Sequence, residues 1–167
     1  MKCKIRQWRF EDASDLAVAI NNPNVQNNLR DGIPYPYTKN DAAEFIELML
    51  NSDKNTIPFA IEYYGKVVGS IAVYRGDNIH FRTGEIGYYI GEDYWGLGIT
   101  TDAVSQICSY IFNNTDIIRI FAEPFSYNIA SCKILEKNGF KQEGILRKNA
   151  FKNGNIYDMV LYSLVKE

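Results

Sequence analysis

Cysteine, histidine and charge of a single sign are all scarce in this chain of 167 residues. Its three cysteines, Cys3, Cys108 and Cys132, are odd in number and far apart. They build neither a disulfide framework nor a thiolate metal site, and they fit a reducing cytoplasm. His80 is the only histidine and sits among polar residues before a strand, so no metal is expected. Lysine and arginine number 18 against 20 acids, giving a net charge of −2 without any basic block. That balance argues against a nucleic-acid surface and favours cationic partners. No apolar run is long enough to cross a bilayer, and the first residues are charged where a leader would be apolar, so neither a membrane span nor a signal peptide is expected. Repeats and low-complexity linkers are also missing. The length suits one domain over residues 1–167 and is short for two.

What is there is a mixed pattern of strands and helices. Lys2 to Arg9 reads as a strand. Asp12 to Ile20 has helical periodicity, with Leu16, Ala17 and Ile20 inward, and Asn21-Asn22-Pro23 breaks it. A short helix over Asn24 to Leu29 and a proline-bearing loop over Gly32 to Tyr37 follow. Thr38-Lys39-Asn40-Asp41 is an N-cap with a first-turn acid opening a helix over Ala42 to Leu50. Strands are expected over Ile57 to Tyr64 and Val67 to Arg75 around a Gly65-Lys66 turn, then over Arg82 to Ile90. A helix from Ile99 to about Asn113, a strand over Ile117 to Glu123 and a helix over about Tyr127 to Asn138 come next. Phe140 to Phe151 and Ile156 to Val165 form a hairpin over Asn153-Gly154. The order predicts an α/β domain, or an α+β one, with a mixed sheet.

The most informative stretch is Gly84 to Ile107, a strand, a glycine-bearing turn and an amphipathic helix. Such a turn aims free backbone N–H groups at one point before a helix N-terminus, where the dipole also attracts an anion. Gly96 and Gly98 admit a phosphate with no Cβ in its way, and the hydroxyls of Thr100 and Thr101 follow at once. Ile99, Ala103, Ile107 and Ile111 form one helical stripe, with Val104, Cys108 and Phe112 beside it. A Walker A loop is excluded, because no Lys-Ser/Thr pair follows the last glycine. A dinucleotide fingerprint is the rival: Gly96 and Gly98 fit, and Glu123 lies where a ribose-binding acid would, but Thr101 replaces the third glycine. Only about one strand–helix–strand unit can follow, where a dinucleotide site needs two halves.

Coenzyme A is the third reading. Trp95-Gly96-Leu97-Gly98-Ile99-Thr100 resembles the acyl-CoA pyrophosphate loop of the GNAT superfamily of N-acetyltransferases, with tryptophan at the opening Gln/Arg position. Asn128 to Phe140 is similar to the second cofactor motif of that family, Asn-x-x-Ala/Ser-x-x-x-Leu/Tyr-x-x-x-Gly-Phe. Ile5 to Ala13, Leu29 to Gly32, Pro34 to Thr38 and Lys152 to Asp158 look like its RimJ/RimL-like branch, so the resemblance covers essentially the whole chain. It implies a strand that splays from its neighbour to admit pantetheine, with Tyr88 and Ile90 bonding it through their backbones, and loop contacts at Gly96, Leu97, Gly98, Ile99, Thr100 and Thr101. It also implies acetyl-CoA as co-substrate, Asn128 on the cofactor, and an acceptor that is a small amine or a protein N-terminus.

The chemistry sets further expectations. A primary amine with a pKa of about 10.4, or an α-amine near 8, must lose a proton before it attacks a thioester, so a general base is needed. Glu85 is the leading candidate, with Gly87 and Tyr89 on its strand face and Ile86, Tyr88 and Ile90 on the other; its structural alternative is an ion pair with Arg82 or Arg119. Glu123 is second, with an edge carboxylate as the plainer reading. Many family members carry an acidic tyrosine where this chain has Leu135; in relatives of this branch a serine at the place of Ser131 is proposed to protonate the leaving thiolate. The resemblance also implies an acceptor site with Tyr35 and Tyr89, one wall coming from the Pro34 to Thr38 loop and the two amino-terminal helices and the other from the Asn153-Gly154 hairpin. Apolar residues on the last strands suit a homodimer. The competing functions are a CoA- or nucleotide-binding regulatory module and, more remotely, a dinucleotide-dependent oxidoreductase.

Overall fold

Seven strands hydrogen-bond into one sheet in the order β1-β2-β3-β4-β5-β7-β6. The structure is a computed structural model that describes residues 2–167. The chain runs β1 (Lys4–Arg6), α1 (Ala13–Ile20), α2 (Pro23–Gln26), α3 (Lys39–Leu50), β2 (Thr56–Tyr63), β3 (Lys66–Arg75), β4 (Thr83–Ile90), α4 (Ile99–Asn114), β5 (Arg119–Ala122), α5 (Ile129–Lys137), β6 (Lys141–Lys152) and β7 (Asn155–Val165). Every neighbouring pair is antiparallel except β4 with β5, which α4 links as a parallel crossover. The expected mixed sheet is therefore present.

Two cores lie on the two faces of the sheet. Ile99, Ala103, Val104, Ile107, Cys108 and Ile111 of α4 join Ile71, Val73, Ile86, Ile90, Ile120 and Leu135 in the larger one. The stripe read from the sequence is thus the buried stripe. Leu16, Ala17 and Ile20 of α1 join Ala42 and Ile46 of α3, Trp8 and Tyr37 in the other.

Local chemistry explains most boundaries. Thr38 accepts from the Asp41 N–H and Asp41 accepts from the Thr38 N–H, a reciprocal box that starts α3 one turn before its apolar residues. The β6–β7 turn is Asn153-Gly154, with φ of 50° and 80°, as a type I′ turn requires. The β2–β3 turn falls one residue before the expected Gly65-Lys66. Tyr64 and Gly65 take φ of 47° and 79°, and the strand pairing resumes at Tyr63 with Lys66. β1 is shorter than the expected Lys2 to Arg9: Arg9 leaves the sheet to open a turn in which Asp12 accepts from its N–H.

One irregularity positions everything that follows. β4 pairs with β5 only from Thr83–Arg119 to Glu85–Phe121. Its other edge stays on β3 up to Ile90. From Ile86 to Ile90 the β5-facing edge therefore has no strand partner, and the two strands part.

Candidate active site

A cleft of about 540 Å³ fills the gap between β4 and β5. One half is lined by Ile90, Trp95, Gly96, Thr100, Asn128, Ser131 and Ile134, the other by Val25, Leu29, Ile33, Phe45 and Tyr74. Glu85, Tyr88, Tyr89 and Glu123 line it too. A smaller cavity of about 300 Å³ shares Arg30, Asp31, Glu85 and Glu123 and reaches Asn149 to Lys152 of β6.

The first half is built to receive an anion. Gly96 and Gly98 have φ of 74° and 78°, the left-handed region that glycine enters without penalty. Gly98 is the N-cap of α4, and the first backbone bond of the helix runs from Asp102 N–H to Gly98 O. The amides of Ile99, Thr100 and Thr101 therefore have no acceptor inside the helix. A Cβ on Gly96 would meet nothing within 4 Å, so open space lies in front of it. Lys2 was not foreseen here. Its Nζ donates to Leu97 O at 2.9 Å and lies 2.8 Å from where a Cβ on Gly98 would stand, so a cation flanks the loop. Asp102 holds it there by accepting from the Lys2 and Cys3 amides. Thr100 is buried against the cleft, whereas Leu97 is exposed and Thr101, through its carbonyl, accepts from Asn138. No sequence signal ties residue 2 to residue 97.

Trp95 is half exposed, and its indole N–H donates to Ile90 O at 3.1 Å across the mouth of the gap. Asn128 caps α5, with Oδ1 accepting from Ser131 N–H at 3.1 Å. Ser131 Oγ meets the Tyr88 hydroxyl at 2.8 Å. Burial pushes the Tyr88 phenol well above its ordinary value, with the Ser131 hydrogen bond opposing, so it stays protonated. The family tyrosine is absent at Leu135, yet β4 delivers a phenol to the same serine. Strand alternation placed Tyr88 on the face opposite Glu85; what the sequence lacked was which helix covers that face and in what register.

The carboxylates sit at the junction of the two halves. Glu85 accepts from Arg30 at 2.5 Å, not from Arg82 or Arg119. Arg82 instead donates to Asp116 O, and Arg119 pairs with Glu143. Glu123 has no hydrogen bond or ion pair among the described residues, yet it lines both cavities. Burial raises its carboxyl above the ordinary value, the Glu85 charge raises it further, and Arg30 opposes both. It is a cleft carboxylate rather than the plain edge acid that its position at a strand end suggested.

The acceptor side differs from expectation. Tyr35 is exposed and lines neither cavity. Asn21 Oδ1 accepts from the Tyr37 N–H, and the Tyr37 ring is buried in the core. Val25 and Leu29, in the segment expected as the second amino-terminal helix, line the cleft together with Ile33. Three links tie their segment across the cleft: Arg30 to Glu85, Asp31 to Lys152, and the Tyr127 hydroxyl donating to Asn27 O at 2.6 Å. The opposite wall is Asn149 to Lys152 rather than the Asn153-Gly154 tip. Tyr89 does line the cleft, with a buried hydroxyl that has no hydrogen-bond partner among the described residues. His80 lies exposed in a surface turn, and the three cysteines are free and buried, with the Cys3 and Cys108 thiols pushed up to about 12 chiefly by burial. No helix among the described residues is long and apolar enough to cross a membrane.

Comparison with known proteins agrees with this geometry. Residues 2–141 match the family model for the acetyltransferase (GNAT) domain. The uncharacterized N-acetyltransferase YoaA of Bacillus subtilis (strain 168) is 31% identical over 166 residues, spanning 97% of this chain and 92% of that protein. Among solved structures, the microcin C7 self-immunity acetyltransferase MccE in complex with acetyl-CoA and AMP superposes with a TM-score of 0.87 at 26% identity, covering 98% of this chain and 92% of that one. The ribosomal-protein acetyltransferase RimL in complex with coenzyme A shares the fold, with a TM-score of 0.86 at 19% identity over 99% of this chain and 95% of its own.

Proposed function

This chain belongs to the GNAT acetyltransferase family, and from that premise we propose that it moves the acetyl group of acetyl-CoA to a primary amine held at Glu85 and Glu123. The observation that carries the reading is the continuity of the cleft. One opening joins the unpaired amides of α4 to the carboxylate pair, past a strand edge with no partner.

The residues present fit acetyl-CoA. Amides from Gly96 to Thr101, with Lys2 beside them, suit the pyrophosphate. The free edge of β4 at Tyr88 and Ile90 offers backbone groups to the pantetheine, as a sheet edge offers them to an added strand. Asn128 keeps its Nδ2 as a donor, since Oδ1 is committed to Ser131. Bound there, acetyl-CoA supplies an activated acetyl thioester.

Glu123 is the proton acceptor we favour over Glu85. Its raised carboxyl lies closer to the pKa of an amine, which improves transfer near neutral pH. Glu85 is held by Arg30, and its negative charge both attracts the ammonium form and raises Glu123. On the leaving side we assign the proton to Ser131 Oγ, which lines the cleft and shares a hydrogen bond with the neutral Tyr88 phenol. A thiol pKa of about 8.5 makes this group a fair leaving group unaided, so the base matters more than the acid. Exposed Ile145 and Ile156 on β6 and β7 are the surface we assign to a homodimer; equilibrium sedimentation showing only monomer contradicts that assembly.

Acetyl-CoA titrated with an amine panel tests the proposal. Amine-dependent thiol release supports it. A rise in melting temperature with CoA but no thiol release marks a binding module without catalysis.

A further inference from the structure

We propose that the acceptor is a monoamine with an apolar body: one basic nitrogen, no second charge, and a hydrocarbon group beside it. This rests on the acetyltransfer reading above and narrows its acceptor.

The first support is the charge balance of the acceptor half. Asp31 pairs with Lys152 at 3.2 Å and Arg30 with Glu85 at 2.5 Å. Glu123 is the carboxylate left over, partly buried and already resisting ionisation through burial and the charge of Glu85. One incoming ammonium completes the balance. A second ammonium would enter with no counter-charge to meet it. An acceptor carboxylate would face Glu123, and only Arg30 or Lys152 could match it; taking either one leaves Glu85 or Asp31 uncompensated. Arg30 and Asp31 are largely exposed while Glu85 and Lys152 are not, so each such exchange costs a modest amount, set by the less exposed partner.

The second support is independent of charge. Beyond the carboxylates the wall is Val25, Leu29, Ile33 and Phe45, with Tyr74 opposite Glu85 in the sheet register. Leu29, Ile33 and Phe45 are only partly buried in the protein itself, so apolar surface remains facing the cleft. A polyamine or an aminosugar would lay several polar groups against a wall whose polar members are few, Asn28, Ser70 and the Tyr89 hydroxyl. A hydrocarbon side chain covers that surface and displaces its water. The three links that tie the Asn27 to Ile33 segment across the opening keep this wall in place. A free small amine and the first residue of a peptide share this chemistry.

The test measures kcat/KM at saturating acetyl-CoA for leucinamide, glycinamide, free leucine, cadaverine, kanamycin and a tetrapeptide with N-terminal leucine. Leucinamide or the tetrapeptide should exceed glycinamide, leucine, cadaverine and kanamycin by roughly tenfold or more, the scale of one buried aliphatic side chain. Preference for the tetrapeptide over leucinamide identifies a peptide N-terminus as the source, and the reverse identifies a free amine. Leu29→Ser should reduce the leucinamide-to-glycinamide ratio while the CoA-induced rise in melting temperature persists. Equal rates for glycinamide and leucinamide, or a preference for cadaverine, kanamycin or free leucine, overturn this inference and leave acetyl transfer standing. No thiol release with any amine overturns acetyl transfer itself, and this inference with it.

Discussion

Glu123, Glu85 and Arg30 carry opposite consequences for any measurement of pH dependence. The acid limb of kcat/KM follows ionisation of the base in the free enzyme. Burial and the Glu85 charge raise the Glu123 carboxyl, and Arg30 lowers it. Removing the negative charge in Glu85→Gln should therefore move the limb to lower pH, and removing the positive one in Arg30→Gln should move it higher. Glu123→Gln should cost turnover by about 10²-fold to 10⁴-fold, the usual size for loss of a general base, with CoA affinity preserved. If instead Glu85→Gln causes that loss and Glu123→Gln does not, the roles are exchanged. At this scale the sequence was half legible. Both acids could be singled out because Glu85 lies on the strand that leads into the loop–helix motif and Glu123 ends the strand that follows it. Their partner could not: Arg30 lies 55 residues before Glu85, on a segment whose path no local pattern specifies. Tyr35 shows the converse, a residue chosen for its aromatic ring that is exposed and lines neither cavity.

Helix α4 and the free edge of β4 form the unit to which we assign cofactor recognition. The unbonded amides at the start of α4 should exchange with solvent rapidly in the free protein, and CoA should protect Gly96 to Thr101 most strongly in hydrogen exchange. Protection confined to the β6–β7 hairpin contradicts this placement. The helix is anchored by fully buried Ile107, and Ile107→Ala should cost about 2–5 kcal/mol in denaturant unfolding, the range for deleting a buried aliphatic side chain. Removing the α3 cap with Thr38→Ala should cost less, about 0.5–2 kcal/mol. Elements were the most legible scale, because their causes are local: the period of the α4 stripe, the Thr38 to Asp41 box, the Asn153-Gly154 turn. The misplaced β2–β3 turn shows where locality fails. Glycine marked the turn, but a register shift between Ile61 and Glu62 carried Tyr64 into the left-handed position.

Across the whole molecule, the splay between β4 and β5 is the feature that no single segment encodes. It depends on β5 being short and on β7 pairing with its other side, from Arg119–Val165 to Ala122–Tyr162. The glycine loop and the Asn128 motif announced the family, and only the family resemblance implied the gap. The far half of the sheet is also pinned electrostatically. Arg119 of β5 donates to Glu143 of β6, which also accepts from Ser163 of β7. The Arg119 bonds, then Ser163, lower the Glu143 carboxyl from 4.5 to about 2. A depressed carboxyl adds stability above its unfolded value that fades as pH falls toward 2. Acid unfolding of Glu143→Gln should therefore lose less stability between pH 4.5 and 2 than wild type. The difference should be small because the pair is partly exposed.

The central claim is that one cleft joins a CoA-binding loop to a carboxylate that deprotonates an amine. The most direct measurement follows thiol release and N-acetylated product together, for wild type and Glu123→Gln, with leucinamide and acetyl-CoA at neutral pH. Wild type should release one thiol for each acetylated amine, and Glu123→Gln should lower the rate about 10²-fold or more with unchanged CoA binding. Thiol release that does not depend on the amine, or equal rates for the two proteins, would contradict the claim.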